Sequence, residues 1–189
     1  DRYFKTIRTT ALDCGEVRIA KTRFGPMAYR VGDVVIGRSL AEYGEWLGPE
    51  IDFLVDLVKP GDIFVDVGAN IGTHSIPVAK RVGQFGQVIA FEPQRLALQM
   101  LCTNITINNL YNIRAERVAL GSRCGEFLIP DIKQGNLGSV GHQLFGNGDP
   151  AQLATLDSYN LPGISLLKID VEGMEKAVLE GAFNTLQKY

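Results

Sequence analysis

Residues 63–75 read IFVDVGANIGTHS, and this stretch decides the fold. Its first half is apolar and β-prone, which is typical of a strand buried on both faces. Two glycines, Gly68 and Gly72, follow, and a helix start comes after them. Glycine has no Cβ, so the turn can be tight and a ligand can approach its backbone. Strand, turn and helix form the first half of a βαβ unit, in which the carboxyl ends of the strands line the ligand crevice.

The spacing of the glycines distinguishes between classes of ligand. A dinucleotide site has G-x-G-x-x-G and directs its amides at a pyrophosphate, whereas this turn has G-x-x-x-G with Asn70 in the middle. Asp66 precedes the turn, and Glu92 ends the next predicted strand, residues 87–91. A carboxylate at the first position suits an amino-bearing ligand, and one at the second can accept both hydroxyls of a ribose. We therefore predict a nucleoside with a positive group and no diphosphate, a description that S-adenosyl-L-methionine fits.

Three motifs in order resemble the FkbM family of S-adenosylmethionine-dependent methyltransferases. They are VDVGANIGTHS from residue 65, AFEP from residue 90 and LKIDVEGMEKAVLEGA from residue 167. The resemblance covers about residues 60–183, which is most of the chain. It implies an α/β fold with the Rossmann-like sheet of class I methyltransferases. It also implies methyl transfer to a small-molecule acceptor, a hydroxyl on a sugar, a polyketide or a similar compound.

The motifs indicate which residues form the site. We expect the base that takes the acceptor's proton to be Asp170, Glu172 or His142. A metal bound by Asp170 is an open alternative for lowering the pKa of the hydroxyl, and we assign no metal ligands. Residues 119–121 should approach the adenine ring, and His74 stands beside the turn as a cofactor neighbour. The predicted cofactor-binding residues are Asp66, Gly68, Ala69, Asn70, Gly72, His74, Glu92, Pro93 and Ala119.

The chain divides into an N-terminal cover or lid, residues 1–59, and an S-adenosylmethionine-binding domain, residues 60–189. We predict β-runs at 17–20, 27–29 and 34–36 that form a small meander, followed by helical structure over 39–58. Residues 113–120 should form the third strand of the main sheet, 125–129 a further strand, 131–150 a long loop and 164–170 the fourth strand. A helix should begin after it at Glu172. Asn104 reads as a cap or surface residue on the helix over 94–108.

Both ends of the sequence favour a fragment or an unusually short family member. The chain starts at Asp1 and stops at Tyr189, after a helix that in class I methyltransferases leads to further strands. The sheet is therefore expected to be truncated after its fourth strand, and the C-terminal domain to be incomplete. An edge strand must be covered or paired, so we expect an extra helix or a partner chain, possible in a homo-oligomer, at this edge.

Composition excludes several classes of function. The formal net charge is −2, with no basic run, which argues against nucleic acid as a partner. No apolar stretch is long enough to span a bilayer and no signal peptide opens the sequence, so we expect no membrane partner. The 3 cysteines form no C-x-x-C pair, which predicts reduced thiols in a cytoplasmic protein.

Two other functions stay open at the level of sequence. A nucleotide-binding oxidoreductase of the Rossmann class is one, although the missing G-x-G-x-x-G argues against it. A non-catalytic binding module with a degenerate methyltransferase fold is the other. Ligand preference between NAD and S-adenosylhomocysteine separates the first from a methyltransferase.

Overall fold

The structure is a computed structural model that describes residues 12–14, 16–130 and 148–189. An antiparallel meander comes first, with strands β1 (Leu12–Cys14), β2 (Val17–Thr22) and β3 (Gly25–Arg30) in that order. Two helices follow, α1 (Ile36–Tyr43) and α2 (Gly48–Leu57).

The third predicted β-run, residues 34–36, is not a strand. Asp33 Oδ1 accepts hydrogen bonds from the backbone N–H groups of Val35 and Ile36, both at 3.0 Å. An aspartate in this position satisfies the free amides of a first helical turn, so the chain enters α1 here. The helical stretch predicted over 39–58 is divided at Gly44, which ends α1 in the left-handed conformation with φ 72°.

The main sheet has four parallel strands in the order β10-β4-β5-β6. The sequence motif forms β4 (Ile63–Val67), and the neighbouring strands are β5 (Gln87–Phe91), β6 (Ile113–Glu116) and β10 (Leu166–Ile169). Helix α3 (Ser75–Val82) connects β4 to β5, and α4 (Arg95–Ile107) connects β5 to β6. This is the Rossmann-like α/β architecture that the sequence predicts.

The predicted single strand over 113–120 is divided at Arg117. Its second part, β7 (Val118–Leu120), pairs in parallel with β9 (Gly148–Ala154), and β8 (Gly125–Pro130) runs antiparallel to β9. Arg117 Nη2 lies 2.5 Å from Asp149 Oδ2, so the residue at the break is tied to β9. Residues 148–150 of the loop predicted over 131–150 belong to β9 instead, and residues 131–147 lie outside the described part.

The C-terminal segment contains a 3₁₀ helix (Leu156–Tyr159), α5 (Glu175–Gly181) and α6 (Phe183–Lys188). We expected the helix after β10 to begin at Glu172. It begins at Glu175 instead, because Glu172 and Gly173 have positive φ angles of 51° and 96° and form a turn. In the described sheet, β10 pairs with β4 and is an edge strand. The extra helix or partner chain that we expect to cover this edge stays a prediction.

Apolar residues fill both faces of the main sheet. Val65 and Val67 pack with Leu156 and Val178 on one face, and Phe64 packs with residues of α2, α3 and α4 on the other. The strand β4 is thus buried on both sides, as its composition predicts. A third cluster joins Met27 and Tyr29 of the meander to Ile71 and Ile76, which follow β4. The predicted domain boundary at residue 59 stays a prediction. No helix in the described ranges is long and apolar enough to cross a membrane.

Candidate active site

The glycine turn (residues 68–72) has three left-handed residues in five. The φ angles are 81° at Gly68, 49° at Asn70 and 91° at Gly72. The backbone N–H groups of Gly68 and Ala69 both donate to the carbonyl of Phe91, at 2.9 and 3.0 Å. Glycine adopts such angles readily, but at Asn70 the left-handed conformation is costly unless the surroundings hold it, and strained residues of this kind cluster at ligand sites. The turn is therefore a constrained feature at the carboxyl end of β4.

The two glycines have different neighbours. A Cβ on Gly68 would overlap the carbonyl oxygen of Asp170, so glycine lets the end of β10 approach the turn. A Cβ on Gly72 would lie 2.6 Å from Leu101 Cδ1 on α4. Gly72 thus faces a helix behind the turn. Gly72 is not among the residues that line the cavity, and its predicted contact with the cofactor stays a prediction.

A cavity of about 240 Å³ opens at the carboxyl ends of β4, β5, β7 and β10. The glycine turn forms one side of it, and the segment between α1 and α2 forms another. Its apolar wall comes from Val35, Ile36, Trp46, Leu47, Val67, Phe91, Val118, Leu120, Ile129, Val171 and Met174. The other lining residues are Gly68, Ala69, Asn70, Thr73, His74, Glu92, Pro93, Gln94, Ala119, Lys168, Asp170 and Glu172.

Glu92 lies in the cavity wall directly after β5, and it is 7% exposed. Its Oε2 accepts from the N–H of Asn70 and its Oε1 from the N–H of Gln94, each at 2.8 Å. Burial raises the pKa of Glu92 to about 7, although these hydrogen bonds oppose the change. Each carboxylate oxygen has a further lone pair, so Glu92 can accept hydrogen bonds from a ligand while it holds the turn.

Asp66 does not line the cavity among the described residues, and its side chain is fully buried. Its Oδ2 accepts from Ser75 Oγ at 2.6 Å, and its Oδ1 lies 3.2 Å from Lys168 Nζ. Asp66 lies behind the cavity wall and pairs with Lys168, which does line the cavity, and the predicted contact of Asp66 with the ligand stays a prediction. In the parallel register Lys168 lies opposite Asp66.

Lys168 bridges the ends of two strands. Its Nζ donates to Asp66 and to the carbonyl of Gly68 at 3.4 Å, and it lies 3.7 Å from Asp170 Oδ2. Burial opposes its charge, but Asp66 and Asp170 outweigh that effect and raise the pKa of Lys168 above its ordinary value. The site therefore contains a fixed ammonium group beside the turn.

Two buried polar atoms at the cavity have no hydrogen-bond partner within the described residues. They are Oδ1 of Asn70 and Nε2 of His74. Nε2 of His74 lies 3.1 Å from Glu50 Oε1, close enough for an ion pair but without hydrogen-bond geometry. Burial lowers the pKa of His74, which favours the neutral imidazole. Unpaired buried polar atoms are rare in folded proteins and mark places where a ligand can bind.

The predicted catalytic residues are only partly brought together. Asp170 and Glu172 both line the cavity, and the side chain of Asp170 is 63% exposed. His142 lies outside the described residues. Within the described ranges, no group of three or more His, Cys, Asp or Glu side chains has the arrangement of a metal site.

Sequence reasoning assigned no role to Lys168 and placed Asn104 at the surface. The signal for Lys168 was a charged residue inside an apolar strand, which requires a partner. Asn104 is fully buried, and its amide bonds to the backbone of both β3 and the glycine turn. Helical periodicity alone does not reveal such a partner, because the two acceptor segments are distant in sequence.

Comparison with known proteins agrees with this geometry. The family model described as the methyltransferase FkbM domain matches residues 66–189. The methyltransferase sdnD of Sordaria araneosa is 26% identical, and the match covers 62% of this chain and 59% of that protein. The solved structure of methyltransferase FkbM from Methylobacillus flagellatus KT has a TM-score of 0.53 and 20% identity, over 70% of this chain and 32% of that one.

The chain thus spans 59% of the length of the curated relative that it matches. At 20% identity the solved structure supports the fold alone. The family model covers the glycine turn, Glu92 and the segment from Lys168 to the end of the chain, which is more than half of the sequence. The chain belongs to the FkbM family of methyltransferases.

Proposed function

We propose that this protein is an S-adenosyl-L-methionine-dependent methyltransferase that methylates a hydroxyl group on a small molecule. The observation that carries the proposal is Glu92, a buried carboxylate that ends β5 in the cavity wall and is fixed by the amides of Asn70 and Gln94. The fixed carboxylate can accept the two hydroxyls of a ribose.

The charges of the lining residues favour a cationic ligand over a diphosphate. Among the residues that the structure describes, the carboxyl groups of Glu92, Asp170 and Glu172 line the cavity, together with the ammonium group of Lys168. The free acceptor atom of Asn70 adds to the groups that can bind an α-amino group. These groups therefore fit a ligand with a positive group at its amino-acid end.

Different residues of the cavity would contact different parts of the cofactor. Glu92 would hold the ribose, and the glycine turn with Asn70 would hold the amino-acid end. Pro93 and Ala119 would contact the adenine, with apolar surface from Val118 beside them. When bound, S-adenosyl-L-methionine supplies a methyl group on a sulfonium sulfur.

The acceptor would enter between Asp170, Glu172 and the apolar wall that includes Trp46 and Leu47. Positioning an acceptor oxygen at attack distance can supply a large part of the rate acceleration. A hydroxyl acceptor must also lose its proton, for which Asp170, Glu172 and His142 are the candidates. By resemblance to the family, we propose a sugar, polyketide or similar compound as the acceptor.

Calorimetric titration with S-adenosylhomocysteine tests the proposal, with NAD as the competing ligand. We expect S-adenosylhomocysteine to bind and NAD not to bind. Glu92→Ala should abolish or strongly weaken binding, whereas Glu116→Ala, which removes a carboxylate at the end of the neighbouring strand β6, should not. Preferential binding of NAD would favour an oxidoreductase, and binding of neither would favour a non-catalytic module.

A further inference from the structure

Asn104 joins the N-terminal meander to the glycine turn through one side chain. It lies on α4 and is fully buried. Its Oδ1 accepts from the N–H of Ala28 at 2.6 Å, and its Nδ2 donates to the carbonyl of Ala28 at 3.1 Å. The same Nδ2 donates to the carbonyl of Ile71 at 2.8 Å. The amide therefore contacts β3 on one side and the turn on the other.

The carbonyl of Ile71 lies between two left-handed residues. Asn70 has φ 49° and Gly72 has φ 91°. Because a peptide group is planar, a hydrogen bond that fixes this carbonyl also fixes the orientation of the Gly72 N–H. Asn70 lines the cavity and donates its N–H to Glu92. The hydrogen bond from Asn104 thus acts on the peptide between Ile71 and Gly72, one residue beyond the cavity-lining Asn70.

Apolar packing connects the same two parts of the molecule independently of Asn104. Ile71 is fully buried in a cluster with Met27 and Tyr29 of β3 and with Ala20 of β2. The first turn of α3 contributes Ile76 to this cluster. The meander therefore packs directly on the side chain of Ile71 in the turn.

We propose that Asn104 is a positioning residue of the cofactor site, which makes the meander a structural part of that site rather than a separate cover. Asn104 sets the shape of the glycine turn by holding the carbonyl of Ile71 at a fixed place relative to β3. The inference rests on the proposed function for its ligand, but the coupling between meander and turn does not need a ligand to be present.

Coupling of this kind is reciprocal. If packing of the meander against α4 and the turn favours the ligand-binding conformation of the turn, then ligand binding must stabilise that packing to the same extent. Exchange of the Ala28 N–H reports on whether the meander is packed against α4, because the acceptor of this N–H is the side chain of Asn104. The N–H of Gly72, which donates to the carbonyl of Ala69, reports on the turn.

Asn108 provides a matched control on the same helix. Its Nδ2 donates to the carbonyl of Pro26 in β3 at 2.7 Å, and its Oδ1 accepts from Lys80 at 2.7 Å. Asn108 thus ties α4 to the meander, as Asn104 does, but its described hydrogen bonds do not include the glycine turn. A difference between Asn104→Ala and Asn108→Ala isolates the contact with the turn.

The test combines amide exchange with binding of S-adenosylhomocysteine. In the unsubstituted protein, native-state exchange in graded urea should show the Ala28 and Gly72 amides opening in one cooperative unit. Asn104→Ala should speed exchange at both amides, and Asn108→Ala should speed it less at the Gly72 amide, because the hydrogen bond from Asn104 to the carbonyl of Ile71 is kept. Asn104→Ala should weaken S-adenosylhomocysteine binding about 10-fold or more, and Asn108→Ala by less than about 2-fold.

Separate opening of the two amides in the unsubstituted protein would overturn the proposal, even if Asn104→Ala does not fold. So would equal effects of the two substitutions on the turn amide or on affinity. If the unsubstituted protein binds no S-adenosylhomocysteine, the proposed function fails, and the exchange data still decide whether Asn104 couples the meander to the turn.

Discussion

Replacing Glu92 with glutamine should make the free energy of unfolding less dependent on pH while it weakens cofactor binding. Glu92 is 7% exposed, and burial raises the pKa of its carboxyl group from 4.5 to about 7. The folded state therefore holds a proton that the unfolded state has lost. Its stabilising contribution is fully present below about pH 4.5 and is lost as the pH rises through about 7.

The size of the effect follows from the two pKa values. The change from 4.5 to about 7 corresponds to about 3 kcal/mol in total, of which about 2.5 kcal/mol falls between about pH 5 and pH 8. Glutamine does not titrate and removes this dependence. Its side-chain N–H₂ group would also face one of the two backbone N–H groups that donate to Glu92, so one donor loses its acceptor. This loss costs about 1–3 kcal/mol at every pH.

Urea unfolding at several pH values between about 5 and 8 measures this prediction. The difference in the free energy of unfolding between the unsubstituted protein and Glu92→Gln should change by about 2–3 kcal/mol over that range, in favour of the variant at high pH. Glu116→Gln, at the end of the adjacent strand, should follow the unsubstituted protein. A constant difference for Glu92→Gln would refute the reasoning, because Glu92 would then titrate alike in both states.

Lys168→Met should cost about 3–5 kcal/mol of unfolding free energy because it leaves the buried carboxylate of Asp66 without its ammonium partner. The double variant with Asp66→Asn should recover part of this loss in a double-mutant cycle, and additive losses would contradict the pairing. Gly68→Ala should abolish ligand binding and destabilise the fold, because a Cβ there would overlap the carbonyl of Asp170. The control Gly61→Ala has φ 93° and open space around the added Cβ, so it should cost only about 1 kcal/mol in thermal unfolding. Equal costs for the two variants would count against the close contact at Gly68. Asp157→Ala should cost about 1 kcal/mol because its carboxylate accepts from the N–H groups of residues 184 and 185 at the start of α6. Burial alone would raise the pKa of Asp157, but the hydrogen bonds from residues 184 and 185 outweigh it and lower that pKa. The loss of stability in Asp157→Ala should therefore shrink as the pH falls through the pKa of the folded state. A difference that does not depend on pH would contradict the assignment.

The elements that local sequence determines were predictable. The strand-turn-helix at 63–75 carries its own signals, an apolar run followed by two glycines, and the structure places β4, the turn and α3 there. Glu92 directly after an apolar run was also readable, because the carboxyl ends of neighbouring parallel strands share one edge of a sheet. Local signals were sufficient for these elements but not at residues 34–36, where Asp33 accepts from the first amides of α1 and the predicted β-run is absent.

Features that depend on distant partners were not predictable in this way. The ion pair of Asp66 with Lys168 follows from the register of β4 and β10, two strands that lie about 100 residues apart in the chain. The β-run 113–120 looks continuous, but β7 pairs with β9, a strand more than 25 residues later in the chain. Asn104 was read as a surface residue because its partners, Ala28 and Ile71, lie 76 and 33 residues away.

The most direct test of the central claim is a crystal structure of the protein with S-adenosylhomocysteine. We predict that the ligand occupies the cavity at the carboxyl ends of β4, β5 and β10, with both ribose hydroxyls within hydrogen-bond distance of the Glu92 carboxylate. A ligand bound elsewhere, or one whose ribose has no contact with Glu92, would contradict the account.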